Sequence, residues 1–139
     1  MKGSQLTVTA YIDGLSEGNP GTGTYAYVIY DGLKKLAEGS GLAGREVTNN
    51  YAEYTALAEA LMKLKELGVE GDVLIRSDSK LLVGQMSEGW KVKGGMYVGR
   101  LKEARDLMKE FGSIRFEWVP REQNQEADLL TKIALEAHK

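Results

Sequence analysis

The hydrophobic period of the chain changes at Thr48, and this change does most to limit the fold. Before it, "LTVTAYID" alternates Leu6, Val8, Ala10 and Ile12 on one face, "TYAYVIY" is rich in β-formers, and Asp31-Gly32 is a hairpin signal ahead of "LKKLAEGSGLA". After it, "NNYAEYTALAEALMKLKEL" repeats at helical spacing, from an N-cap at Thr48 to a C′ glycine at Gly68. Three antiparallel strands are therefore followed by a long helix. "DVLIRS" is then a short strand, with Ser77-Asp78-Ser79 leading into the helical "KLLVGQM". "YVGRLKEARDLMKEF" is a helix stopped by Gly112, "SIRFEWVP" a strand alternating Ile114, Phe116 and Trp118, and a last helix runs from about Asn124 to Ala137. Strands reached through helical crossovers run parallel to the strand they join. The order predicts one α/β domain over residues 1–139, a five-stranded mixed sheet with helices on its faces.

The chain has 139 residues, 42% of them hydrophobic and 27% charged, which suits one domain with a core of ordinary size. It contains no cysteine, and its one histidine, His138, stands next to the last residue. Disulfides, thiolate nucleophiles and Cys-ligated zinc are excluded, so any metal must be held by oxygen. No apolar run approaches bilayer length and "KGSQ" follows Met1, so the expected location is the cytoplasm. A net charge of −2 argues against an indiscriminate polyanion binder. Yet Arg76 to Arg115 carries nine Lys or Arg against five Asp or Glu, with Lys91, Lys93, Arg100, Lys102 and Arg105 close together. That segment is either a nucleic-acid contact or a solvated helix face.

"YIDGLSEGNPGTG" carries Asp13 at the end of the first strand, ahead of a run of glycines. No G-K-[ST] closes the run and no helix follows it, so it is not a phosphate cradle. In an open sheet of this kind the functional crevice lies beyond the carboxyl ends of the parallel strands. Asp78 ends the fourth strand, so Asp13 and Asp78 emerge at one edge if those strands are neighbours. Glu53 falls within about 40° of Leu57, Ala60, Leu64 and Leu67, the helix stripe that must face the sheet. A carboxylate there is costly unless it is paired or metal-bound; Arg76 and Lys80 are the alternative partners. On the last helix the apolar side reads as Leu129, Leu130, Ile133, Ala134 and Ala137, with Asp128 nearly opposite, either solvated or facing the crevice. Carboxylates converging without His or Cys suit Mg²⁺ or Mn²⁺. Two such ions about 3.5–4 Å apart form the clamp used for in-line phosphoryl transfer.

Four blocks, "YIDGLSEGNPGTGTYAYVIY", "TNNYAEYTALAEAL", "IRSDSKLLVGQM" and "VPREQNQEADLLTKIAL", resemble the signature blocks of type 1 ribonuclease H, in order and over nearly the whole chain. The resemblance implies a ribonuclease H-like fold with strand order 3-2-1-4-5 and helices on both faces. It implies a monomeric endonuclease that hydrolyses the RNA strand of an RNA/DNA hybrid, leaving 5′-phosphate and 3′-hydroxyl ends. By the same resemblance Asp13 bridges two Mg²⁺ ions, Glu53 and Asp78 hold one, and Asp128 holds the other. Contacts to the RNA strand map to Gly14, Ser16, Asn19, Asn49 and Gln85, and a contact to a DNA phosphate maps to Thr48. Asn124 in the last block, Arg121 beside it, and Lys91 and Lys93 complete the expected substrate-binding set. The glycines after Asp13 are expected to let the minor groove of a hybrid approach the strand end.

The chain departs from the family pattern in three places. The long basic handle of many members is missing, since "GWKVKGGMYVGRLKEARDL" runs almost directly into the next helix and leaves Lys91 and Lys93 as its remnant. Gly84 stands where an asparagine is usual. Pro120-Arg121-Glu122 occupies the loop in which many members have a histidine, and His138 lies too far along the chain to replace it unless the tail folds back. The pattern thus matches handle-less archaeal-like and short bacterial forms. Two other classes are weighed against the nuclease: a duplex-binding module without catalysis, opposed by the intact quartet, and an integrase-like two-metal nuclease, opposed by the TNN and QN blocks. Cleavage of RNA/RNA duplexes is left open, since both duplexes present A-like minor grooves with 2′-hydroxyls.

Overall fold

The computed structural model describes residues 7–139. Its elements are β1 (Val8–Gly18), β2 (Gly21–Asp31), β3 (Lys34–Val47), α1 (Asn49–Glu66), β4 (Asp72–Ser77), α2 (Lys80–Ser87), α3 (Val98–Met108), β5 (Ser113–Trp118) and α4 (Gln125–Ala137), with a short 3₁₀ turn at Arg121–Gln123 before the last helix. The sheet order is β3-β2-β1-β4-β5. The β1–β2 and β2–β3 pairs are antiparallel, and β1–β4 and β4–β5 are parallel, as the crossovers require. Leu6, assigned above to the first strand, lies outside the described residues.

One boundary differs from expectation in a way that matters for the site. β1 does not end at Asp13. Its antiparallel ladder with β2 runs unbroken from Val8↔Asp31 to Gly18↔Gly21, so the glycine-rich stretch is a hairpin rather than a loop. Only the parallel ladder with β4 stops early, at Ile12↔Ser77. Beyond that pair the two strands part, and the crevice opens there.

Alternation along β1 sends Val8, Ala10 and Ile12 into a core shared with α1, α2 and α3, where Leu57, Leu61, Leu64, Ile75, Leu82 and Leu101 are buried. The opposite face is covered by α4, whose Ala127 packs on Ala26 and Val28 of β2. α1 is buried continuously from Ala52 to Ala58, because neighbouring helices as well as the sheet enclose its first turns. Thr48 caps it, accepting from the Tyr51 N–H at 3.1 Å, and Gly68 closes it with φ +77°.

Three sequence assignments of facing are corrected. Leu67 is 40% exposed, since it is the C-cap of α1. Trp118, at the end of an edge strand, is 41% exposed. On α4 the buried residues are Ala127, Thr131, Ala134 and Leu135, whereas Leu129 and Ile133 face solvent. Asp128 therefore lies beside the buried stripe of α4, not opposite it. The stripe is weakly marked in the sequence because two alanines and a threonine make up most of it; the Thr24 hydroxyl donates to the Thr131 carbonyl at 2.9 Å, a polar tie between α4 and the sheet.

Candidate active site

Three elements deliver the acidic side chains. Asp13 stands one residue past the end of the β1–β4 ladder, and Asp78 follows the last residue of β4. Glu53 comes from the first turns of α1. What allows α1 so close is Gly14: a Cβ there would lie 2.3 Å from the Glu53 nitrogen and 2.4 Å from the Ala52 carbonyl carbon. The Gly14 N–H donates to the Glu53 carboxylate across this contact. Gly21 and Gly23 are similarly filled, by the Glu17 carbonyl and the Val47 side chain. These glycines admit protein atoms where a Cβ would clash.

Carboxylate oxygens of Asp13, Glu53 and Asp78 lie within 4.8 Å of one another. Asp13 and Glu53 are buried and Asp78 is half-buried. Glu53 does not pair with Arg76 or Lys80: Arg76 donates to Glu117 at 2.6 Å and to the Tyr11 hydroxyl at 2.7 Å, and Lys80 sits over the Trp118 ring, 5.0 Å from its centre. The buried ion pair is thereby excluded as the reason for the carboxylate. Burial, and then the charges of Asp78 and Asp128, push the Asp13 carboxyl up to about 8, against the pull of the Gly14 N–H. Burial, then Asp13 and Asp78, hold Glu53 well above the usual range. Asp78 is also raised, chiefly by burial, while the Asn124 side chain and the Arg121 guanidinium oppose the rise. A buried cluster of acids is unfavourable by itself; a hard dication relieves both the repulsion and the lost hydration. The donor set, oxygen only, fits Mg²⁺ or Mn²⁺.

Asp128 borders the same cleft, near enough to Asp13 for its charge to help raise the Asp13 carboxyl. Its carboxylate faces Lys132 at 3.1 Å and Arg121 at 3.6 Å. Asn124 fixes this helix end. Its amide donates to the Ile12 carbonyl at 2.8 Å, at the last pair of the β1–β4 ladder. At 1% exposure Asn124 holds α4 against β1 and does not reach a substrate as expected above.

The cleft encloses about 610 Å³, and its lining includes Asp13, Gly14, Ser16, Asn49, Arg121 and Trp118. The Ser16 N–H donates to the Asn49 side chain at 2.9 Å, the Asn49 N–H donates to the Asn19 side chain at 2.9 Å, and the Ser16 hydroxyl donates to the Val47 carbonyl at 2.8 Å. Ser16, Asn19, Val47 and Asn49 thus form one latch between the β1–β2 hairpin and the start of α1, next to the Thr48 cap. Lys91 and Lys93 are exposed on the segment between α2 and α3 and are absent from the cleft lining. Gln85 is not at the surface at all, being 3% exposed and bonded inside the fold. Gly84 is occupied too: a Cβ there would meet the Trp90 ring at 2.1 Å, so its departure from the family pattern accommodates an indole. The tail does fold back, with Arg45 donating to the His138 carbonyl at 2.6 Å and Lys139 facing Glu17 at 3.6 Å, but it does not line the cleft. Trp118 was missed as a site residue. Its indole N–H donates to the Asp78 carbonyl at 3.1 Å, and the only sequence signal was its place at the carboxyl end of a parallel strand.

A family model described as reverse transcriptase-like matches residues 12–134. The chain is similar to a bifunctional protein of Mycobacterium tuberculosis, 40% identical over 134 residues that cover 95% of this chain and 36% of that protein. It thus spans about a third of the length of its mycobacterial relatives. It is also similar to the ribonuclease H of Geotalea uraniireducens, 32% identical over 152 residues covering 96% of this chain and 97% of that one. Among solved structures, LC11-RNase H1 in complex with an RNA/DNA hybrid matches with a TM-score of 0.88 and 34% identity, covering 94% of this chain and 98% of that chain. With the strand order and the acidic cluster already in place, these likenesses establish that the chain belongs to the reverse transcriptase-like family, among its ribonucleases H.

Proposed function

We propose that the protein is a Mg²⁺-dependent endonuclease that hydrolyses the RNA strand of RNA/DNA hybrids and leaves 5′-phosphate and 3′-hydroxyl ends. The observation that carries this reading is the cluster of Asp13, Glu53 and Asp78, with oxygens within 4.8 Å of one another in a cleft that Asp128 borders. The hybrid in the LC11-RNase H1 complex supports the choice of substrate. Asp13, Glu53, Asp78 and Asp128 would hold the metal, with Asp13 facing the charges of both Asp78 and Asp128. When bound, a pair of Mg²⁺ ions activates water and stabilises the leaving oxygen of an in-line displacement at phosphorus.

The chain's own groups supply binding and orientation. The Ser16, Asn19 and Asn49 latch offers amide and hydroxyl groups beside the acids, where a minor groove bearing 2′-hydroxyls distinguishes RNA from DNA. Thr48, at the helix N-terminus, suits a phosphate of the other strand. Lys91 and Lys93 add a charge contact further along the duplex. Arg121, 3.6 Å from Asp128, offers a cation next to the reacting phosphate where a loop histidine is missing. The test uses end-labelled RNA/DNA, RNA/RNA and DNA/DNA duplexes of one sequence, in Mg²⁺ or EDTA. Cutting of the RNA strand of the hybrid in Mg²⁺ alone is expected. Cutting of the DNA duplex, or cutting in EDTA, would overturn the assignment, and cutting of RNA/RNA would widen the substrate class.

A further inference from the structure

Between α2 and α3 the chain runs from Glu88 to Tyr97 without regular structure, turning at Gly89, Gly94 and Gly95, all of positive φ. A segment of this kind is ordinarily mobile. Here it is anchored from below by one side chain. Gln85 of α2 accepts from the Tyr54 hydroxyl of α1 at 2.7 Å, donates to the Tyr97 hydroxyl at 3.0 Å, and donates to the Lys91 carbonyl at 3.2 Å. The Tyr54 and Tyr97 rings stack, 5.4 Å between centres and 18° between planes. The Trp90 ring lies on Gly84, and the Trp90 backbone N–H donates to the Gly84 carbonyl at 3.1 Å. Val92 packs toward the core, so the alternation on either side sends Lys91 and Lys93 outward.

We propose that Gln85 is a positioning residue for substrate binding: it fixes the backbone at Lys91 so that Lys91 and Lys93 meet the duplex phosphates at a set place. A chain without a helical handle needs another way to hold its basic residues in register, and a buried carboxamide with donors and acceptors on three elements provides it. The inference rests on the proposed nuclease reading and on the lysines contacting phosphate. It replaces direct contact between Gln85 and RNA, which burial prevents.

The test is a cycle of Gln85→Leu, the Lys91→Ala/Lys93→Ala pair, and the triple variant, measured as kcat and KM on the hybrid over a range of salt. Gln85→Leu is expected to raise KM about fivefold with kcat nearly unchanged, and to flatten the salt dependence toward that of the lysine pair. In the triple variant the Gln85 effect on KM should disappear. A KM effect undiminished without the lysines, or a loss confined to kcat, would overturn the proposal. If the lysine pair itself leaves KM and salt slope untouched, the proposal falls while the nuclease reading stands, because hybrid cleavage is scored in the same assays. Should Gln85→Leu not fold, Tyr97→Phe removes one bond and keeps the ring stack, and the same KM and salt criteria apply with a smaller effect.

Discussion

Glu53 and Asp13 hold a chemistry that the metal-free protein resists. The carboxyl of Asp13, ordinarily near 3.8, is raised to about 8, so folding takes up a proton at this site. The stabilising contribution of the protonated form is complete below about pH 4 and is lost as pH rises through about 8. Asp13→Asn removes the group that is being forced to ionise. In EDTA at pH 8 the variant should therefore melt above the wild type, by about 3–8 °C. The gap should close near pH 4. Saturating Mg²⁺ should favour the wild type, because only it binds the dication fully. Thermal melts at both pH values check this, and a wild type more stable than the variant in EDTA at pH 8 would contradict the repulsion described here. At this scale the sequence was informative for Glu53, since an acid on a buried helical stripe violates the ordinary pattern. It was uninformative for Asn124 and Gln85, whose amides look like surface groups until their partners on distant elements are known.

Elements position those residues through close backbone contact. α1 meets β1 at Gly14, and there is no space for a methyl group between them. Gly14→Ala should destabilise the fold by about 2–4 kcal/mol, in the range of an overpacked site. It should also weaken Mg²⁺ binding by displacing Glu53 from Asp13. Denaturant unfolding and metal titration by calorimetry measure the two effects, and an alanine variant with wild-type stability and affinity would show that the contact is not needed. The order and direction of the elements were legible because their hydrophobic periods differ and crossovers leave few topologies. The face of α4 was not. Its packed stripe of Ala127, Thr131 and Ala134 is weakly hydrophobic, whereas Leu129 and Ile133 are strongly so and exposed. Hydrophobicity ranks side chains by transfer free energy, and a helix lying tightly on a sheet selects for small size as well.

For the whole molecule, the net charge of −2 conceals a difference between the acidic cleft and the exposed lysines of the segment between α2 and α3. Lys91→Ala/Lys93→Ala should weaken hybrid binding several-fold at low salt and reduce the slope of log affinity against log salt by roughly 1–2. Turnover at saturating hybrid should change little. Fluorescence anisotropy with catalytically silent Ca²⁺ across a salt series reads this, and an unchanged slope would assign the lysines to a solvated face.

In the proposed function the converging carboxylates carry metal-dependent cleavage of RNA paired with DNA. The most direct measurement is single-turnover cleavage of a hybrid labelled on both strands, comparing wild type with Asp13→Asn in Mg²⁺ after confirming that both are folded. RNA-strand products with 5′-phosphate ends are expected from the wild type, with an intact DNA strand and a rate for the variant lower by about three or more orders of magnitude. A variant that cleaves at the wild-type rate, or a folded wild type that leaves the RNA strand intact, would contradict it.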